Sequence, residues 1–191
     1  MIVLILFLIA LGLLLASLVG YLIGIYNQLI QVKVNIDKAW GNIEVMEKQR
    51  FDEIPKLVKI CEGYMQYEKE TLEKVISART RFMDAKTPGA MAQASSDMAG
   101  ALKTLFAVAE NYPQLKADQN FVHLQGRVTA LENQIADRRE FYNESVAIFN
   151  TRIRQFPDMI VANMMGYMER EMYKVAEAEK KSPDISFNLP K

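Results

Sequence analysis

Cysteine occurs once among the 191 residues, at Cys61, and histidine once, at His123. A lone cysteine excludes an intrachain disulfide and a cysteine-based metal cluster within one copy. Neither sign of charge is in excess: 23 basic residues face 23 acidic ones. No cationic surplus is left to neutralise a phosphate backbone, and nucleic acid is not an expected partner. The chain also lacks a GxxxxGK[ST] loop, a GxGxxG turn, a serine elbow and the Glu-x-x-His pairs of di-metal bundles. With one histidine and one cysteine on different predicted helices, the usual parts of a catalytic centre are missing. The expectation is a non-enzyme with no cofactor and no metal. Cys61, at a helical core position, reads as a small buried hydrophobe. His123, beside the core positions Phe121 and Leu124, reads as an exposed or hydrogen-bonding side chain. Glu44, Glu47, Asp52, Glu53, Glu62 and Glu68 read as a charged, solvated helix face.

What is present begins with a long apolar run. No charged side chain occurs from Met1 to Val32, and Ile2 to Ile25 is almost wholly Leu, Ile, Val, Phe, Ala and Gly. That run reaches the ~20 residues that cross a bilayer, so residues 1–26 read as a transmembrane anchor. A cleaved signal peptide is the rival. It is disfavoured because no basic residue precedes the run, the run exceeds the usual ~7–15 residues, and no small-x-small cleavage site follows. Basic residues start only at Lys33, Lys38, Lys48 and Arg50. The positive-inside rule then places the N-terminus outside and the rest in the cytoplasm. Inside the span, Gly12, Ala16, Gly20 and Gly24 recur every fourth residue. Such a stripe of small side chains permits close helix approach in lipid, and Gly20 to Gly24 is itself a GxxxG. A homo-oligomer is the expected outcome.

Beyond the anchor the pattern is helical throughout, with no sustained β alternation. Ile36, Trp40, Ile43, Ile54, Leu57, Cys61, Tyr64, Leu72, Val75 and Phe82 keep three-and-four spacing, which predicts one helix continuing from the anchor to about Ala85. Pro55 lies inside it, where it lacks an amide hydrogen, so a kink or brief break is expected there. Thr87 and Pro88 mark a cap and first turn for a second helix, from about Ala90 to Glu110. Asp118 or Asn120 starts a third, whose positions Phe121, Leu124, Val128, Leu131, Ile135, Tyr142, Phe149 and Phe156 hold a nearly heptad beat. Phe156-Pro157 stops it, and a further helix is expected from about Asp158 to Lys180. The fold class is therefore all-α: an N-terminal transmembrane helix (1–26), an elongated antiparallel three- to four-helix bundle (27–181) and an extended tail (182–191).

Polar residues within the apolar pattern leave two readings open. Arg50, Arg138, Asn143, Ser145 and Asn150 either fix helix register through buried bonds or simply face water. Met164, Met165, Met168 and Met172, with Val161 and Val175, are expected on one face of the last helix. That face is either ordinary core or an adaptable surface for another subunit or the bilayer interface.

These residues together resemble the LemA family of bacterial membrane proteins. The resemblance rests on Tyr26-Asn27, Ala39-Trp40 with Ile43, the segment Arg50 to Leu57, Gly63-Tyr64 with Glu68, and Ala78-Arg79. It continues through Ala109 to Phe121, Arg138 to Asn143, Asn150-Thr151 and Phe156-Pro157. Glu53 departs from it, standing where an apolar residue is usual, as does the methionine-rich segment after Pro157. The resemblance implies an anchored helical bundle of the bacterial inner membrane without an assigned enzymatic site. It also implies membrane-organelle formation or accessory work beside a membrane metallopeptidase as roles. The expected function is a single-pass scaffold that self-associates and organises or shapes the bilayer. The alternative is an adaptor or regulator of another membrane protein.

Overall fold

The computed structural model describes residues 1–174. Every regular element among them is helical: α1 (Ile2–Tyr64), α2 (Lys69–Asp84), α3 (Pro88–Ala109), α4 (Pro113–Ala117), α5 (Gln119–Arg152) and α6 (Asp158–Met164). The all-α expectation holds. The expected tail at 182–191 lies outside the described residues.

The anchor and the first bundle helix are one element, since α1 runs 63 residues without interruption. Pro55 does not break it. Its ring sits on the exposed face, so the hydrogen bond it denies the Phe51 carbonyl is lost where water can replace it. The helix does not, however, reach Ala85. It ends at Tyr64, and the chain re-enters helix only at Lys69. Gly63 weakens the last turn, and two pairs of side chains hold the connection. The Tyr64 hydroxyl donates to Asp118 Oδ2 at 3.0 Å, and Glu68 accepts from the Tyr112 hydroxyl at 3.2 Å. A continued helix would have put charged Glu68 in the apolar seam between Cys61 and Leu72. Turning there instead lets α2 fold back, so that Phe51 of α1 meets Phe82 of α2 with ring centroids 4.6 Å apart.

The chain divides into two compact units. The first comprises Met1–Gln49 and Leu131–Met172. Its core joins Ile25, Leu29, Ile36, Ala39 and Ile43 of α1 to Leu131, Ile135, Tyr142, Val146 and Phe149 of α5. Spacings of three, four and seven on both helices give a knobs-into-holes seam. The two helices of that seam are antiparallel: Arg139 meets Glu47, Tyr142 meets Trp40 and Arg152 meets Gln28.

α6 is far shorter than the expected helix to Lys180. Gly166, at φ +67°, ends it: the Tyr167 N–H bonds to the Ala162 carbonyl and the Gly166 N–H to that of Asn163. This is a Schellman cap, whose left-handed residue carries no Cβ penalty when it is glycine. The chain then runs non-helically beside α5, where Asn150 both donates to the Arg170 carbonyl at 2.9 Å and accepts from the Arg170 N–H at 2.8 Å.

The second unit spans Arg50–Ala130 and resumes at Tyr173. Its core gathers Leu57, Cys61 and Met65, Leu72 and Val75 of α2, Met98, Leu102 and Leu105 of α3, Leu115 of α4, and Phe121, Leu124 and Val128 of α5. Its helix starts follow their caps. Thr87 Oγ1 accepts from the Ala90 N–H at 3.2 Å, with Pro88 opening α3. Asp118 Oδ1 accepts from the N–H groups of Asn120 and Phe121 at the head of α5. The short α4 was not foreseen from the sequence.

Candidate functional site

The apolar run forms the first turns of α1, and every residue from Met1 to Ile23 is exposed. Leu4 and Phe7 each show 62% of their surface. A helix this long and apolar meets the length and composition requirement for crossing a bilayer. Burial begins at Ile25, 5% exposed, and is complete at Leu29. Gly12, Ala16 and Gly20 lie fully open and Gly24 half-buried. A Cβ added at Gly12, Gly20 or Gly24 would meet nothing within 4 Å, so in a single copy nothing occupies the stripe.

The buried polar groups differ from the sequence-based expectation. Glu47 and Glu53 are not solvated: they are 1% and 4% exposed. In the first unit Glu47 accepts from Arg139 Nη2 at 3.3 Å. In the second, Glu53 pairs with Arg127 at 2.7 Å and with Lys56 at 3.1 Å. The departure at Glu53 thus carries its own counterions. Arg50 is fully buried and donates from Nη2 to Ser95 Oγ at 2.7 Å, which favours the register reading for this residue. Arg138 is exposed, and its neighbour Arg139 makes the inward bond. Ser145 donates to the Phe141 carbonyl within its own helix. Glu47 and Arg50 fall at core spacing from Ile36, Ile43, Ile54 and Leu57, and that phase was the signal that could have found them.

The methionines do not share one helical face. Met164 closes α6, Met165 follows in the turn, and Met168 and Met172 lie in the non-helical segment. Met164 and Met168 are 83% and 80% exposed, whereas Met165 and Met172 are half-buried. Val175 lies outside the described residues. Lys33, Phe149, Tyr167, Met168, Glu169 and Arg170 line a groove in the first unit, with the Lys33 ammonium 5.9 Å from the Tyr167 ring centroid.

Cys61 and His123 form no catalytic pair. Cys61 is fully buried, and burial with the neighbouring Glu62 carboxylate pushes its thiol up to about 12. It therefore stays a neutral thiol rather than a nucleophile at physiological pH. His123 is exposed on α5. No group of three or more His, Cys, Asp or Glu side chains suited to a metal occurs among the described residues.

A family model described as the LemA family matches residues 39–187. Protein LemA of Metamycoplasma hominis is 26% identical over 168 residues, covering 86% of this chain and 75% of that one. Magnetosome protein MamQ 2 of Paramagnetospirillum magneticum is 23% identical over 191 residues, covering 86% of this chain and 69% of that protein. Magnetosome protein MamQ of Magnetospirillum gryphiswaldense is 22% identical over 174 residues, covering 78% of this chain and 64% of its own length. None of these names states an enzymatic activity.

Proposed function

We propose, from the premise that this chain belongs to the LemA family, that it is a non-enzymatic scaffold held in the bacterial inner membrane by one span. Its N-terminus lies outside and its helical units in the cytoplasm. Copies associate along the small-residue stripe and so organise or shape a patch of bilayer. The observation that carries this reading is the fully exposed apolar start of α1, which continues without a break into a packed helical body. The likeness to magnetosome proteins supports a role in a membrane compartment.

The open stripe makes a clean test. A Cβ at Gly20 or Gly24 meets nothing within 4 Å in one copy, so the double variant is expected to keep its fold, and loss of association with an unchanged helical spectrum reports on contacts between copies. Full-length protein in mild detergent is expected to give a large, regular particle by light scattering, and Gly20→Leu/Gly24→Leu a smaller one. A monomer in both samples would refute self-association. That outcome would turn attention to the second reading, an adaptor or regulator of another membrane protein, which the groove beside Lys33 and Met168 supports. A stoichiometric partner lost on Met168→Asp is its expected signature.

A further inference from the structure

α6 is apolar on two sides. Val161 and Ala162 are buried, while Met159, Ile160 and Met164 on the other side are 40%, 46% and 83% exposed. Phe156, just before the helix, is 79% exposed. Asp158 is turned to Arg152, and Asn163 is the one polar side chain on the exposed side. A short helix that exposes this much apolar surface belongs at an apolar boundary rather than in water. Its position names that environment. One guanidinium, that of Arg152, donates from Nη2 to Gln28 Oε1 at 2.8 Å and from Nε to Asp158 Oδ2 at 2.7 Å. The first residue of α6 is thereby tied to α1 three residues past Ile25, about 4.5 Å along the helix axis. The headgroup layer extends about 5–7 Å beyond the hydrocarbon on each side. Because α5 runs antiparallel to α1, the turns after Arg152, closed by Arg154 N–H to Thr151 and Gln155 N–H to Arg152, continue toward the apolar span. The burial of Ile25 agrees: protein already covers one side of α1 at the end of the run.

We infer that Phe156, Met159, Ile160 and Met164 form a second membrane contact, resting in the headgroup and acyl boundary of the bilayer beside the anchor. This inference rests on the proposal that residues 1–26 span that bilayer. The contact is apolar rather than electrostatic: of the nearby cations, Arg152 pairs with Asp158, Arg154 with Glu169 and Arg170 with Asp37, and the Lys33 ammonium lies over the Tyr167 ring. An apolar face of this kind sinks about 5–10 Å into the boundary.

The test uses the full-length chain in phosphatidylcholine vesicles. Single cysteines replace Leu13, Val45, Phe156, Met159 or Met164 in a Cys61→Ala background, each carrying an environment-sensitive fluorophore. All five positions are exposed, so labelling leaves the packing intact. Nitroxide-labelled phosphatidylcholines act as quenchers at shallow or deep acyl positions. Position 13 is expected to be quenched most by the deep nitroxide. Position 45, about 30 Å past Ile25 on α1, is expected to be quenched by neither. Positions 156, 159 and 164 are expected to be quenched by the shallow nitroxide, with blue-shifted emission and no change on adding phosphatidylglycerol. If these three behave like position 45 while position 13 is quenched deeply, the second contact is absent and the anchor stands. If position 13 escapes the deep quencher, the anchor fails and the second contact falls with it. Emission shielded from water yet unquenched by either lipid would mean that a second copy covers α6, which also overturns the inference. So would shallow quenching that appears only with phosphatidylglycerol.

Discussion

Replacing Ser95 with alanine removes the acceptor 2.7 Å from Arg50 Nη2 and leaves a fully buried guanidinium one partner short. A hydrogen bond to a charged group contributes about 1.5–3 kcal/mol. The substitution removes a single oxygen, so little cavity cost is added. At about 1.4 kcal/mol per factor of ten, opening of the second unit should become roughly 10- to 150-fold more frequent. The protein carries its own assay. Cys61 is its single cysteine, lies fully buried in that unit's core, and has a thiol pushed up to about 12 while buried. Reaction with a thiol reagent at neutral pH therefore proceeds through the open form, and its rate reports the opening equilibrium when reclosing is faster than labelling. Arg50→Met removes the charge that needs the hydroxyl, so Arg50→Met/Ser95→Ala should cost less than the two single changes added together. Unchanged labelling of Ser95→Ala, or a cycle additive to within about 0.5 kcal/mol, would refute the reasoning.

Three further perturbations address other elements. Gly166→Ala puts a Cβ on a left-handed residue with open space around it, so the cost is that of the backbone alone, about 1–2 kcal/mol. It should lower the urea midpoint of the Trp40 fluorescence transition, with Gly166→Asn lowering it less. Asn150→Leu deletes both bonds to the Arg170 backbone, and trypsin should cut after Arg170 faster in the variant; equal cleavage rates would show that those bonds do not hold the segment. The N–H of Phe121, the Tyr64 hydroxyl and the N–H of Asn120 hold the Asp118 carboxyl below its ordinary range. Its contribution is therefore present above the unfolded carboxylate pKa and is lost as pH falls through the lower folded value. Asp118→Asn should flatten that part of the acid dependence of stability, read from denaturation midpoints across an acid series.

The elements legible in the sequence were those whose signals are local. The seams of α1 and α5 follow from three-and-four spacing, and the starts of α3 and α5 from Thr87, Pro88 and Asp118. Two helix ends were misplaced for different reasons. Between Cys61 and Leu72 only Gly63 weakens a helix and no residue forbids one, and the turn is held by Asp118 and Tyr112, far along the chain. At the end of α6 the signal was local, Gly166, but the methionine spacing masked it by continuing the helical beat beyond the cap. The buried charges were the hardest to read. The core phase of position 47 could have shown its burial, but a carboxylate there or at position 53 gains its counterion only when Arg139 or Arg127 arrives from α5, and no pattern within α1 announces that partner.

The four-residue spacing of Gly12, Ala16, Gly20 and Gly24 also determines how two copies would diverge. Rows of this spacing wind around the helix rather than running along it, and helices that meet along them cross right-handed, at about 40°. Gln49, the last α1 residue of the first unit, lies about 37 Å beyond Gly24 at 1.5 Å per residue. From a crossing near Gly24, two α1 axes would stand roughly 25 Å apart at that level, given the 40° angle. A packed helix is about 10 Å across, which leaves about 15 Å between the two α1 surfaces, room for one helix but not two side by side, so the two α5 copies would have to pack on opposite sides of the crossing. The close approach that glycine permits in the lipid would thus decide, outside it, on which side of the crossing each body packs.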